Sequence, residues 1–251
     1  MSSEPAVHRL IVMVDMENYS SGDNPRQVIA QRSIAELLDS AGERARLNRK
    51  RWLRQSQGDG ELAILPRDAD EPAIVRDYIQ ALDVELGAYN RDRVADARIR
   101  LRVAMHHGLV HLGDGGFAGG AVVVTARLLD ATELRRVLSA VPGANLALIV
   151  SGQLYEDVIS QNYPGIRPDT FHRVDVEVKS YRAPGWIHVP GHETGHGAKA
   201  ARGEGGSLWP GTEHAAASKP VTRPASEAPG TVSVSATGHG RAAGRDYYES
   251  R

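Results

Sequence analysis

Along the chain, apolar residues switch between an alternating and a helical period, and the switches divide it into strands and helices. The run Leu10 to Val14 lies inside a segment, His8 to Asp15, that reads as a first strand ending in carboxylates. Asn18 to Pro25 is a turn-rich loop, and Pro25 stands where the first turn of a helix accepts it. Val28, Ile29, Ile34, Leu37, Leu38 and Ala41 then recur on one helical face, with Arg32, Glu36, Asp39 and Arg44 on the other, which predicts a helix packed on a sheet. Arg51 to Ser56 and Glu61 to Pro66 read as short strands joined by the tight turn Gly58-Asp59-Gly60. Asp68, Asp70 and Pro72 open a second helix whose buried stripe is Ile74, Tyr78, Ala81, Leu82, Leu86 and Tyr89.

From Arg100 to Asp130 the period changes twice. Leu101, Val103 and Met105 alternate as in a half-buried strand, and Gly108 to Leu112 reads as the returning strand of a hairpin. A glycine-rich crossing, Gly113 to Gly120, leads into a helix carrying Ala121, Val124, Leu128 and Leu129. Asn145 to Val150 is a further strand, and Ser151 caps a short helix, Gly152 to Gln161. A last hairpin pairs Val174, Val176 and Val178 with Trp186 to Val189 around an Arg182-Ala-Pro-Gly185 turn. The order is βαββαβ with additions, an α+β domain over 8–189. Residues 190–251 shift to Gly, Ala, Ser, Pro and His without an apolar period, which predicts a disordered tail.

Composition narrows the chemistry. The 251 residues contain no cysteine, which excludes disulfides, thiolate metal sites and thiol nucleophiles. The formal net charge of −1 gives no basic field for nucleic acid or anionic lipid, so any phosphate site is local. No apolar run is long enough to span a membrane, and the N-terminus lacks the flank and core of a secretory signal, so a cytoplasmic location is expected.

Three features carry candidate chemistry. Arg127, in the helix after the glycine crossing, suits an anion. His106 and His107 read as packed or hydrogen-bonded at a strand end rather than as metal ligands. His192-Glu-Thr-Gly-His196 matches the His-Glu-x-x-His pattern of zinc proteases, but Pro190, Gly191, Gly195 and Gly197 oppose the helix that chemistry needs.

Taken in order, several segments resemble the class III nucleotidyl cyclase catalytic domain. Val14-Asp15-Met16 looks like the family's first metal-aspartate strand and Gly58-Asp59-Gly60 like its second. Arg102 to Gly108 is similar to the strand ending in His-x-Gly, and Phe117 to Leu128 to the family's Gly-x-Ala-Val-Asn-x-x-x-Arg-Leu helix. Ile149 to Tyr155 and Val178-Lys179 resemble later family segments.

The resemblance implies a ferredoxin-like βαββαβ domain with an additional C-terminal strand-helix-hairpin, working as a head-to-tail homodimer on a nucleoside triphosphate. Asp15 and Asp59 would hold Mg²⁺ or Mn²⁺, with the Met16 carbonyl as a further ligand. Glu17, on the same side of the strand as Asp15, would supplement the metal site or mark its wet end. Arg127 of the second subunit would stabilise the α-phosphate, and its Lys179 would grip the terminal phosphates.

Three positions depart from the family pattern. Val123 stands where the family has a ribose-orienting asparagine, and the two base-selecting positions fall at Gln55 and Gly116. Neither the usual adenine pair nor the usual guanine pair is present, and Gln55 can both donate to and accept from another base, including a pyrimidine. Two functions follow: a cyclase that makes a cyclic nucleotide, or a catalytically silent cyclase-like module for nucleotide or protein binding.

Overall fold

The computed structural model describes residues 5–17, 24–113 and 116–192. Strand β1 (Val7–Met16) lies inside a mixed sheet of order β2-β3-β1-β4-β6-β8-β7. Its even residues Leu10, Val12, Val14 and Met16 face one core, while Ile11 and Met13 face another. Both faces are covered, as an unbroken apolar run requires. On the first face pack α1 (Asn24–Arg44), the helical run α2 (Glu71–Ala73), a π-helical segment Ile74–Tyr78 and α3 (Ile79–Asn90), and α6 (Gly152–Asp157). On the second lie α4 (Gly120–Leu129) and α5 (Thr132–Ala140).

The hairpin of β2 (Leu53–Ser56) and β3 (Gly60–Ile64) pairs antiparallel with β1, and β4 (Leu101–Gly113) pairs on the other side. Strand β6 (Leu146–Ser151) runs parallel to β4, and β7 (His172–Val178) and β8 (Tyr181–His188) complete the sheet. Asp70 caps α2 through the Ala73 amide, and Ser151 caps α6 through the Leu154 amide, both where the sequence places helix starts. The α+β order and the C-terminal strand-helix-hairpin are as expected.

Three expectations need correction. Val28 and Ile29 are 59% and 62% exposed; the buried stripe of α1 starts at Ile34. Gly108 does not begin a returning strand. It lies within the single long strand β4, where a Cβ would come 2.9 Å from the Ala121 side chain, so its bareness lets α4 sit close. The returning strand is β5 (Gly116–Ala118), beyond Gly113. Finally, Arg182 to Gly185 belongs to β8, and the turn is at Lys179, whose φ is 55°. Pro184 stands one residue past the last β6–β8 pair, Ser151 with Gly185, where a missing N–H costs no bond to β6. Helix α5 has no counterpart in the sequence reading.

Part of the loop before α1 (residues 18–23), Asp114 and Gly115 of the glycine crossing, and the tail from residue 193, with most of the His192 to His196 motif, lie outside the described residues.

Gly60 fixes the geometry of the β2–β3 hairpin. It pairs with Asp15, and a Cβ there would fall 1.9 Å from the Val14 carbonyl oxygen, a backbone atom that cannot step aside. Gly60→Ala is expected to cost at least about 1–3 kcal/mol, the range for overpacking a closed site. Thermal unfolding should show a midpoint lowered by several degrees, and an unchanged midpoint would mean that the hairpin does not approach β1 this closely.

Candidate functional site

One end of the sheet collects carboxylates and guanidinium groups. Asp15, the penultimate residue of β1, points to the same face as Ile11 and Met13. Across one side it pairs with Gly60 and across the other with Arg102. The Met16 amide donates to the Asp59 carbonyl at 3.0 Å, which ties the hairpin turn to the end of β1. The negative charge of Asp59 is felt at the Asp15 carboxyl. Two acids far apart in sequence are therefore carried to the same end of the sheet, through the backbone of Met16 and Asp59.

Arg102 was not singled out from the sequence, yet it is the strongest partner of Asp15. Its Nε and Nη2 each donate to one carboxylate oxygen at 2.8 Å, and the two side chains are only 13% and 17% exposed. The signal was present: Arg102 alternates with Leu101 and Val103, so it faces the side opposite the β4 core residues, but strand register was needed to set it against Asp15.

Burial lifts the Asp15 carboxyl to about 6, with Asp59 adding to the rise, against Arg102 and then Arg135, which pull it down. Desolvation outweighs the ion pair because neither partner has full access to water. Glu17 shares this face, but its oxygens already take Nη1 of Arg100 at 2.7 Å and the Ser139 hydroxyl at 3.3 Å.

Gln55 and Gly116, where the resemblance puts base selection, are also neighbours. A Cβ on Gly116 would lie 3.3 Å from Oε1 of exposed Gln55, so the bare glycine opens a space beside the amide. Gln55 pairs with Leu62 and shares its face of the sheet, the face that carries Asp15. Arg127 lies half-buried in the last turn of α4, and Val123, one turn earlier, is 51% exposed.

Lys179 is far from these groups. It occupies the β7–β8 turn, and β7 is four strands from β1, roughly 19 Å across the sheet. The strand registers also put that turn beyond the end where β1 begins, whereas Asp15 is where β1 stops. A single chain cannot bring Lys179 to the paired aspartates. His106 and His107 are hydrogen-bonded to protein partners, as expected, but they lie in the middle of β4 rather than at a strand end.

Among the described residues, no group of three or more His, Cys, Asp or Glu side chains is placed to hold a metal ion. The donors at Asp15 and Asp59 are two hard carboxylates beside strand-end backbone, a set that suits a small divalent ion whose other ligands are water and phosphate. Arg102 supplies one positive charge to the pair, leaving a net charge of about −1 with both acids ionised. The donor set therefore fits Mg²⁺ or Mn²⁺. Among the described residues no helix is long and apolar enough to cross a membrane.

No protein-family model matches the chain, and no curated protein matches it. Solved structures do. An adenylate/guanylate cyclase/hydrolase from Silicibacter pomeroyi aligns with 75% of this chain and 99% of its own, at 23% identity and a TM-score of 0.53. The catalytic core of a rhodopsin-guanylyl cyclase with converted specificity, in complex with ATPαS, aligns with 75% of this chain and 98% of its own, at 12% identity and a TM-score of 0.51. A bacterial light-regulated adenylyl cyclase aligns with 76% of this chain and 53% of its own, at 16% identity and a TM-score of 0.51. The domain has the fold of the adenylate and guanylate cyclase catalytic domains, and at these identities the likeness concerns the fold.

The Asp15–Arg102 pair has a testable pH signature. A carboxyl raised from its unfolded value near 3.9 to about 6 binds protons more readily when folded, so its contribution to stability is greatest at low pH and is lost as pH rises through about 6. Arg102→Met leaves the ionised carboxylate without its partner, at a cost of about 1–3 kcal/mol. Chemical denaturation should show that loss at about pH 7 and a smaller one at about pH 5, where Asp15 is mostly protonated. An equal loss at both would mean that Arg102 acts through packing alone.

Proposed function

We propose that the domain is a nucleotidyl cyclase that works as a head-to-tail pair of identical chains, turning a nucleoside triphosphate into a 3′,5′-cyclic nucleotide and pyrophosphate. The observation that carries this reading is the convergence of Asp15 and Asp59 at one end of a cyclase-type sheet while Lys179 lies at the other. A two-fold axis reverses one sheet against its copy, so it can bring the aspartate end of one chain to the phosphate-binding groups of the next.

Asp15 and Asp59 would hold Mg²⁺ or Mn²⁺, with the Met16 carbonyl beside them, and the bound ion would acidify the ribose 3′-hydroxyl and offset triphosphate charge. That hydroxyl would give up its proton to water, and its oxygen would bond to the α-phosphorus as the bond from the α-phosphorus to the bridging oxygen breaks and pyrophosphate leaves. Arg127 of the second copy would face the charge that builds on the α-phosphate, and its Lys179 the terminal phosphates. Arg102 would give up part of its hold on Asp15 and stay beside the incoming phosphates. Gln55, next to the bare Gly116, would meet the edge of the base with both a donor and an acceptor.

Val123 favours a second reading, a catalytically silent module for signalling or conflict response. An exposed valine on α4 cannot hold a ribose hydroxyl, and losing one preorganised hydrogen bond lowers rate by about 10²–10³. The two readings separate cleanly. The protein incubated with each of the four NTPs and Mn²⁺ is expected to form cyclic monophosphate and pyrophosphate with at least one of them, and Val123→Asn should raise that turnover by about tenfold or more. Metal-dependent NTP binding with no product from wild type or from Val123→Asn would establish the silent module.

The shared site gives a separate expectation. Asp59→Ala and Arg127→Ala should each be inactive alone. Mixed in equal amounts, they should recover roughly a quarter of the wild-type sites, since half of the pairs are hybrid and each hybrid has one intact site of two. No recovery on mixing would place both residues in one chain's own site.

A further inference from the structure

A second charged cluster lies away from the aspartate end, and it is built around one imidazole. His107, on β4, faces the helices of the first layer and is 4% exposed. Its Nδ1 lies 2.8 Å from Oε2 of Glu71, the first residue of α2, and its Nε2 lies 3.1 Å from Oδ2 of Asp157, the last residue of α6. The ring of His8, from β1, meets the His107 ring edge-on at 5.1 Å, and the His106 ring lies 6.2 Å away. The titratable groups that face His107 are thus Glu71 from α2, Asp157 from α6, His8 from β1 and His106 beside it on β4.

The geometry constrains the protonation state. A neutral imidazole has one N–H and one bare nitrogen, and a bare nitrogen set against a carboxylate oxygen is repulsive. Both nitrogens here face carboxylates, so the arrangement is satisfied when the ring is the imidazolium and donates twice. His106 has a different task. It is pushed down to about 4 by burial and by its two histidine neighbours, and it shares a 2.8 Å hydrogen bond with Ser151, the cap of α6. It stays neutral across the range in which His107 titrates.

We propose that His107 is a proton-operated latch that, when charged, ties the start of α2 and the end of α6 to β4, and that releases the end of α6 when it loses its proton. Asp157 is the link that opens. Its contact is the longer of the two and its side chain is 57% exposed, against 23% for Glu71. Water can replace the imidazole at Asp157 far more readily than at Glu71. The released element is short, since α6 has six residues and a 3-10 turn, Ile159–Gln161, follows it. The sign follows from the two carboxylates, Glu71 first, which hold His107 above its ordinary value against the opposing effect of burial. Stability from the latch is fully present below about pH 6.5 and is lost as pH rises through the higher folded value. The latch does not depend on the cyclase reading, and either can fail without the other.

The test uses the full chain and two readouts. In ¹⁵N-resolved spectra, both His107 ring nitrogens should be protonated at about pH 6, with a midpoint above about 6.5, and Asp157→Asn should move that midpoint down. Hydrogen exchange, corrected for the intrinsic effect of pH, should show protection across residues 152–161 falling as pH rises above about 6.5, relative to β1. Asp157→Asn should show, at every pH, the low protection that wild type reaches only at high pH, and His8→Phe should keep the wild-type response. A His107 midpoint at or below about 6.5, or protection in α6 that ignores pH, would overturn the latch. A response that vanishes in His8→Phe while surviving in Asp157→Asn would assign it to His8 instead.

Discussion

Everything at the aspartate end depends on how closely β3 approaches β1. Gly60 lies against the Val14 carbonyl with no room for a Cβ, and this contact lets the Asp59 carbonyl accept from the Met16 amide. A side chain at Gly60 would push the turn outward and carry Asp59 with it. The backbone that carries the two acids is thus fixed by hydrogen bonds and sheet register, and the Arg102 guanidinium fixes the Asp15 carboxylate.

That rigidity has an electrostatic cost. Asp15 is largely removed from water, and its carboxyl is pushed up to about 6 even with Arg102 gripping both oxygens. In the free protein the guanidinium provides the positive charge that the paired acids need. A divalent cation arriving there would meet Asp15 already oriented and desolvated, so binding would require a shift of Arg102. The same sheet carries a different balance at His107, where two carboxylates surround one imidazole. In both places an ionisable group is buried next to its partners, but the charge is negative in one and positive in the other.

Much of this was legible in the sequence because strands and helices announce themselves by period. The alternation of Val174, Val176 and Val178, the run Leu10 to Val14, and the caps Asp70 and Ser151 all correspond to observed elements. The convergence of Asp15 and Asp59 and the proximity of Gln55 and Gly116 followed from a resemblance, since periodicity alone says nothing about which strands pair. Glycine misled twice for one reason. A break between elements and a close contact both favour a residue without a side chain, so Gly108 read as the start of a returning strand and Gly185 as part of a turn, when one admits α4 and the other lies in β8 against Ile149 and Val176. Arg102 and the double contact of His107 escaped notice because each depends on partners more than thirty residues away.

Under the proposed function, Asp15 and Asp59 would act on one cation. The most direct measurement is a double-mutant cycle of Mn²⁺ affinity, by calorimetry with a non-cleavable NTP analogue present, over wild type, Asp15→Asn, Asp59→Asn and the double variant. If the two carboxylates share an ion, each single change should remove most of the affinity and the second should add little to the first, a coupling of about 0.5–3 kcal/mol. Strictly additive losses, or full affinity in either single variant, would contradict a shared site.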